Sequence, residues 1–205
     1  MALFITFEGG EGSGKSTQIR TLYRKLDQLA FPAILIREPG GTLLGDRIRY
    51  ILKQACQVPI SPLSELLLFN ASRSQLVKEV IQPAVTDGKI ILCDRFTDST
   101  IAYQCYGRGL DLSTVKTANT IATQGIKPDL TFLLDVPPDI GLKRKQEGAN
   151  DRYEQEAVDF HNRVREGFLT LAADEPGRWT VINSTLSRDQ IAGVIWEKVR
   201  ARLPA

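Results

Sequence analysis

Near its amino terminus the chain carries Gly9-Gly10-Glu11-Gly12-Ser13-Gly14-Lys15-Ser16, a match to G-x-x-x-x-G-K-[ST] directly behind the apolar run Leu3-Phe4-Ile5-Thr6-Phe7. A polyphosphate needs many donors converging on a small volume that side chains would crowd. Glycines let the backbone curl so that its own N–H groups point inward, and a following helix adds its positive N-terminal end. In such a loop Lys15 reaches the β/γ-phosphates and the Ser16 hydroxyl binds Mg²⁺. The pattern alone also fits a Gly-rich turn. Strand, loop and a helix from Lys15 to about Ala30 follow in the order a nucleoside triphosphate site requires.

Other residues could build a second substrate site. Cys93-Asp94-Arg95 closes an apolar run, placing an acid and a base where a strand of a parallel sheet would end, the edge at which such sheets bind ligands. Asp94 could order Mg²⁺ or its water shell, and Arg95 could grip a phosphate with two hydrogen bonds; a structural Asp–Arg pair is the plain alternative. Phe69 and Arg73 lie four apart and share a helix face. A stacking ring beside a guanidinium would read a nucleobase; a core ring beside a surface charge is the other reading. Ser99 and Tyr103 repeat the spacing beyond Arg95, with Gln104 adjacent, and Arg37 leads Arg37-Glu38-Pro39-Gly40-Gly41-Thr42 after a second strand. His161 is the only histidine, on what reads as a surface helix, so an obligatory histidine base would have to be this residue.

Short β-branched runs alternate with longer helical patterns, the signature of an α/β fold with a parallel sheet. Strands are expected at 2–7, 33–37, 89–93, 130–135 and 179–182. Helices are expected near 15–30, 43–55, 62–86, 97–105, 113–125, 138–147, 153–173 and 187–202, with Ser61-Pro62 reading as an N-cap followed by proline at the first helical position. The polar stretch 143–152 reads either as a solvated loop or as a mobile cover over a phosphate. A length of 205 residues without repeats or linker implies one domain, 1–205. Lysine and arginine number 26 against 24 acids, and the net charge of +2 gives no argument for nucleic acid or an anionic membrane. No run approaches the roughly 20 apolar residues of a membrane span, and no basic-apolar leader is visible. Cys56, Cys93 and Cys105 are odd in number and unpatterned, as expected for a reducing cytoplasm.

Together these stretches closely resemble the thymidylate kinase family, bacterial type. The matching pieces run from Phe7-Glu8-Gly9 to Thr17, then Arg37-Glu38-Pro39-Gly40-Gly41-Thr42, Leu68-Phe69 with Arg73, Asp94-Arg95-Phe96 with Ser99, and Ala102-Tyr103-Gln104. Gly107-Arg108-Gly109, Pro128-Asp129-Leu130, Leu134-Asp135-Val136, Gly141-Leu142-Lys143-Arg144 and Asp151-Arg152 follow in family order. The resemblance implies a P-loop kinase fold, with a five-stranded parallel sheet, helices on both faces, the P-loop at 8–17 and a short lid at about 142–153. It further implies a homodimer that moves the γ-phosphoryl of ATP to dTMP with Mg²⁺, supporting dTTP synthesis.

Residue by residue, the same resemblance implies catalytic roles for Lys15, Arg95, Arg152 and Glu8. It gives phosphate binding to Gly9, Gly10, Glu11, Gly12, Ser13, Gly14, Lys15, Ser16 and Thr17, the adenine side to Arg144, and the metal to Ser16 and Asp94. Contact with dTMP falls to Arg37, Glu38, Pro39, Phe69, Arg73, Arg95, Ser99, Tyr103 and Gln104, with Tyr103 filling the volume of a 2′-hydroxyl. A cis bond before Pro39 is also implied. The loop departs from some members in having no arginine, since Gly10, Glu11, Gly12 and Ser13 offer none; lid arginines, Arg152 before Arg144, are then expected at the transferring phosphate. The alternatives are another nucleoside monophosphate or deoxynucleoside kinase, an ATP-binding subunit without catalysis, and a GTP-hydrolysing switch, whose Asn-Lys-x-Asp stretch does not occur here.

Overall fold

The computed structural model describes residues 2–53, 59–145 and 152–203. Five strands, β1 (Leu3–Glu8), β2 (Ala33–Arg37), β3 (Ile90–Asp94), β4 (Leu130–Asp135) and β5 (Trp179–Asn183), pair all-parallel in the order β2-β3-β1-β4-β5. Every residue of β1 is buried, whereas the edge strands β2 and β5 alternate in exposure. That contrast is why β1, β3 and β4 read as unbroken apolar runs. The register aligns Phe7 and Arg37 with Asp94, and Glu8 with Leu133, so the chemistry-bearing strand ends share one edge. Strand order reverses at β1, and the crevice there lies at the carboxyl ends of the strands.

Helices α1 (Lys15–Gln28) and α9 (Arg188–Arg200) cover one face, with Ile19, Leu22, Leu26, Ile191, Ile195 and Val199 packed on Ile5, Phe7, Leu92 and Phe132. The opposite face is covered by α3 (Pro62–Leu76) and α8 (Val158–Asp174), through Leu76 against Phe4, Ile91 and Phe96, and through Phe160, Val164 and Phe168 against Leu133 and Trp179. Helices α2 (Leu43–Lys53) and α6 (Leu112–Thr123) flank α3.

Two expected helices are broken. The stretch 62–86 divides into α3, a π-helical turn at Val77–Ile81 and α4 (Gln82–Thr86). Pro83 has no N–H and its ring would crowd a carbonyl of the preceding turn, so an α-pattern cannot run through it unaltered. The stretch 97–105 is four residues of α5 (Thr97–Thr100) that widen into a π-helical segment, Ile101–Gly107. The expected 153–173 helix begins only at Val158, behind a 3₁₀ turn at Arg152–Gln155. The capping expectation holds: Ser61 Oγ accepts from Ser64 N–H at 3.2 Å ahead of Pro62. Helix α7 (Pro138–Lys145) ends at the lid stretch, whose residues 146–151 lie outside the described residues, as does Cys56.

Candidate active site

The phosphate loop links β1 to α1 and is shaped by backbone. Gly9, Gly12 and Gly14 have φ of 137°, 64° and 88°, conformations that L side chains rarely adopt. A Cβ on Gly12 would run into the backbone of Gly141 in α7, and one on Gly141 into the carbonyl of Glu11. The loop therefore sits against α7 at a separation only glycine permits. Lys15 Nζ donates to Gly9 O at 3.0 Å, Gly10 O at 2.7 Å and Ser13 Oγ at 3.1 Å. Burial, with Arg95 nearby, pushes the ammonium down to about 8, so this lysine gives up its proton far more readily than an exposed one. Ser184 Oγ donates to Ser13 O and fixes the loop from the β5 side.

Ser16 Oγ donates to Asp94 Oδ2 at 2.8 Å, joining the first turn of α1 to the end of β3. Two hard oxygens at a phosphate loop suit Mg²⁺, which keeps waters and takes most other ligands from phosphates. Among the described residues no group of three or more His, Cys, Asp or Glu could hold a metal unaided.

Arg95 follows Asp94 with φ of 73°, unusual for a side-chain-bearing residue. Its guanidinium donates to Gly9 O at 2.9 Å, Ser99 Oγ at 3.1 Å, Glu11 Oε1 at 2.7 Å and Tyr103 OH at 3.2 Å. Tyr103 OH also donates to Glu11 Oε1 at 3.0 Å. Glu11 lies in the phosphate loop, yet its carboxylate turns to the other side of the cleft. An anion repels a phosphate, and Arg95 with Tyr103 supplies donors there.

The second side of the cleft is assembled by α3, α5 and the segment after β2. The Glu38-Pro39 bond is cis, and Arg49 Nη1 donates to Pro39 O at 3.0 Å. Phe69, Arg73, Arg95, Ser99, Tyr103 and Gln104 line the same cleft as Lys15, Ser16 and Asp94, a space of about 1110 Å³. Ligand pockets commonly span about 300–1,000 Å³, so two substrates have room. Arg37 is exposed at the rim, 3.8 Å from Asp46.

A family model described as thymidylate kinase matches residues 7–195. The chain belongs to the thymidylate kinase family. Among its relatives, a thymidylate kinase of Dehalococcoides mccartyi is 52% identical over 203 residues, covering 99% of this chain and 98% of that protein. One from Trichlorobacter lovleyi is 46% identical, with 98% of each covered. The crystal structure of thymidylate kinase from Ehrlichia chaffeensis superposes with a TM-score of 0.78 at 37% identity, covering 97% of this chain and 98% of that one.

Set beside the thymidylate kinase resemblance, three placements differ from expectation. Glu8, expected to be catalytic, is fully buried and does not line the cleft. Its oxygens accept from Phe96 N–H at 2.8 Å and Ser99 Oγ at 2.5 Å, and burial with Asp98 nearby pushes the carboxyl up to about 8. Its contacts put Glu8 behind Phe96 and Ser99 rather than in the cleft. Arg73, expected to offer its donors to a base, is 1% exposed and committed within the protein. It donates from Nε to Glu38 Oε2 at 2.7 Å, from Nη1 to Asn119 Oδ1 at 2.8 Å and from Nη2 to Thr100 Oγ1 at 2.8 Å. A buried guanidinium must satisfy its donors, and these acceptors do so from within the protein, while Arg73 still lines the cleft. Arg152, ranked first for the transferring phosphate, is paired with Glu65 Oε2 at 2.9 Å and does not line the cleft. Glu65 is a fully buried carboxylate that also accepts from Gln104 Nε2 at 2.7 Å, and its charge needs cations around it. Arg144 does line the cleft, donating to Ser184 O at 3.1 Å.

His161, expected at the surface, is buried beside Phe160. The sequence reading missed Glu65 although a signal existed: Glu65, Phe69 and Arg73 recur every four residues on one face of α3. For Ser184 and Tyr153, which also line the cleft, no spacing gave notice.

Proposed function

We propose that this member of the thymidylate kinase family transfers the γ-phosphoryl group of ATP to dTMP, giving dTDP and ADP. The observation that carries the reading is Arg95. One guanidinium touches Gly9 and Glu11 of the phosphate loop and Ser99 and Tyr103 of the opposite wall, so a donor and an acceptor phosphate have a shared cation between them. The acceptor is a phosphate oxygen, already anionic at neutral pH, and needs no strong base. The barrier is charge repulsion and positioning, which Lys15 and Arg95 reduce from two sides. Ser16 and Asp94 would hold Mg²⁺, which neutralises phosphate charge when bound. The glycine loop carries the ATP phosphates, Arg144 flanks the adenine side, and Phe69 stacks on thymine with Tyr103 under the sugar. Arg73 and Glu38 act as the pair that fixes this wall, and Arg152 is not assigned to the transferring phosphate.

Two apolar helix faces support a homodimer. Leu43, Leu44, Tyr50 and Ile51 of α2 and Leu63 and Leu67 of α3 are exposed on neighbouring helices, and clustered large apolar side chains of this kind mark interaction surfaces. Among the described residues no helix is long and apolar enough to cross a membrane, and a cytoplasmic site of action fits that and the unpaired Cys93 and Cys105. A coupled assay for ADP, run with dTMP and a panel of other nucleoside monophosphates and deoxynucleosides, tests the activity. Equal turnover of another acceptor would overturn the thymidylate assignment; light scattering of the same sample tests the dimer.

A further inference from the structure

Helix α5 is only four residues long, and a different element grips each one. Asn119 of α6 donates to Thr97 O at 3.2 Å. Ser99 Oγ donates to Glu8 and accepts from Arg95. Thr100 Oγ1 accepts from Arg73, the cation of the acceptor wall. The grip on Asp98 comes from outside the site. Arg178, in the turn before β5, donates from Nη1 to Asp98 Oδ2 at 2.7 Å and from Nη2 to Asp98 Oδ1 at 3.0 Å. The same Nη1 reaches Thr131 Oγ1 at 2.8 Å, which is bonded to Thr6 Oγ1 at 2.8 Å, and Nε donates to Glu175 Oε2 at 2.9 Å. Arg178 does not line the cleft, and Asp98 is 3% exposed.

We infer that Arg178 is a positioning residue for phosphoryl transfer: its two-point hold on Asp98 locks α5 in the orientation from which Ser99, tied to Glu8, aims Arg95 between the two phosphates. Two parallel N–H···O bonds fix a direction as well as a distance. Asp98 and Ser99 are consecutive, so rotation of one carries the other. Without Arg178 the Asp98 carboxylate is buried beside Glu8 with no cation opposite it, and the short helix has every reason to turn. The glycine loop shares Gly9 and Glu11 with Arg95, but its hold on Lys15, the Ser16–Asp94 bond and the approach of Gly12 to Gly141 do not pass through α5 and stay in place. This inference rests on the proposed transfer between ATP and dTMP.

The test compares Arg178→Met, Arg178→Lys, Asp98→Asn and the double variant Arg178→Met/Asp98→Asn with the unaltered protein. In Arg178→Met, kcat for dTMP phosphorylation should fall by about 10²-fold, the scale for a catalytic group displaced from a distance. The ATP dissociation constant should change far less, by no more than a few-fold, because Lys15 and the loop backbone keep their own contacts. Arg178→Lys should recover part of the loss, and the double variant should be no slower than the worse single one, because both remove the same link. Amide hydrogen exchange supplies a readout independent of turnover: Phe96 to Thr100 should exchange faster in Arg178→Met while Ser16 to Leu22 do not. Unchanged kcat and exchange in Arg178→Met, or losses that multiply in the double variant, would overturn the inference. If Arg178→Met does not fold, Arg178→Lys and Asp98→Asn decide by the same split between kcat and ATP binding. Failure of the unaltered protein to phosphorylate dTMP would strike the functional reading alone, and exchange would still decide the role of Arg178.

Discussion

The donor side of the cleft is made mostly of backbone, and the acceptor side of side chains held by other side chains. Around the phosphate loop the working groups are N–H donors, fixed by three positive-φ glycines and by the close approach of Gly12 to Gly141. The side chains that the loop's own segment aims at the phosphates are those of Lys15 and Ser16, with Asp94 and Ser184 reaching it from the strand ends. Opposite, residues from segments distant in sequence meet in two buried sets: Arg73 with Glu38, Asn119 and Thr100, and Glu65 with Gln104 and Arg152. A backbone site tolerates change around it but not within it. A networked wall spreads its cost, so removing one member leaves the others unsatisfied.

The sharpest break of that contrast is Lys15→Ala. It removes the one side-chain cation of the donor loop, and kcat should fall by about 10²–10³-fold, the range for losing a preorganised transition-state donor. Thermal stability should hardly fall, since Gly9 O and Gly10 O can turn to water. Wild-type turnover would sink the donor assignment. The same residue sets a pH limit: with its pKa lowered to about 8 from 10.5, kcat/KM for ATP should drop above pH 8, where ordinary lysines stay charged. Between those two values the unfolded chain holds the proton that the folded one lacks, so this group's contribution to the stability of the ligand-free protein rises with pH. Glu8, raised from 4.5 to about 8, has the opposite sign, and its contribution is lost as pH rises across that interval. A kcat/KM profile flat to pH 10 would contradict the buried lysine.

On the acceptor wall, Arg73→Met should act first on stability. It strands Glu38, a 5% exposed carboxylate already pushed up by burial, at about 3–5 kcal/mol, the cost of breaking a buried pair. Thermal unfolding and dTMP KM should worsen together. A higher KM at unchanged stability would mean that the arginine is released to the substrate. Phe69→Ala is milder, because the ring is only partly buried, at the cleft edge of the cluster that holds Tyr153, 6.3 Å away. It should weaken dTMP binding by about 1–3 kcal/mol, the scale of base–aromatic stacking. ATP affinity is the control, and an equal fall there would remove Phe69 from the acceptor pocket.

The two sides also differ in how far the sequence announces them. The phosphate loop, β1 and α1 are contiguous, and their spacing alone gives strand, turn and helix start. The five parallel strands were legible within a residue or so of their ends, the central β1, β3 and β4 because burial on both faces favours near-unbroken apolar runs, the edge strands β2 and β5 from short apolar, β-branched runs. Arg73 and Glu8 were found as residues but not as partners: local spacing shows which face a side chain takes, not which distant acceptor waits there. Asp98 and Arg178, 80 positions apart, meet only once the sheet is assembled. Arg152 looked like a lid arginine because its pairing with Glu65 joins segments far apart in sequence, and the spacing that puts Glu65 on one face with Phe69 and Arg73 does not name its partner. The π-helical turns escaped because periodicity cannot tell a widened turn from an α-turn.

The smallest effect is expected where the two sides touch, at Tyr103. Its ring is packed edge-on against Tyr153, Phe160 and Phe168 at 5.6, 6.0 and 6.2 Å, so it is core as well as cleft wall. Tyr103→Ala would open a cavity at about 3–5 kcal/mol and blur any reading of sugar choice. Tyr103→Phe keeps the ring and removes only the hydroxyl that joins Glu11 and Arg95. Those two remain paired at 2.7 Å, so the loss should be about 1 kcal/mol, the net worth of one hydrogen bond. If the ring fills the space a 2′-hydroxyl would need, the ratio of kcat/KM for dTMP over its ribonucleotide should not change in Tyr103→Phe, although both values fall slightly. A collapsed ratio would transfer the discrimination from the packed ring to the hydroxyl, and with it from the networked wall to the Glu11 carboxylate of the phosphate loop.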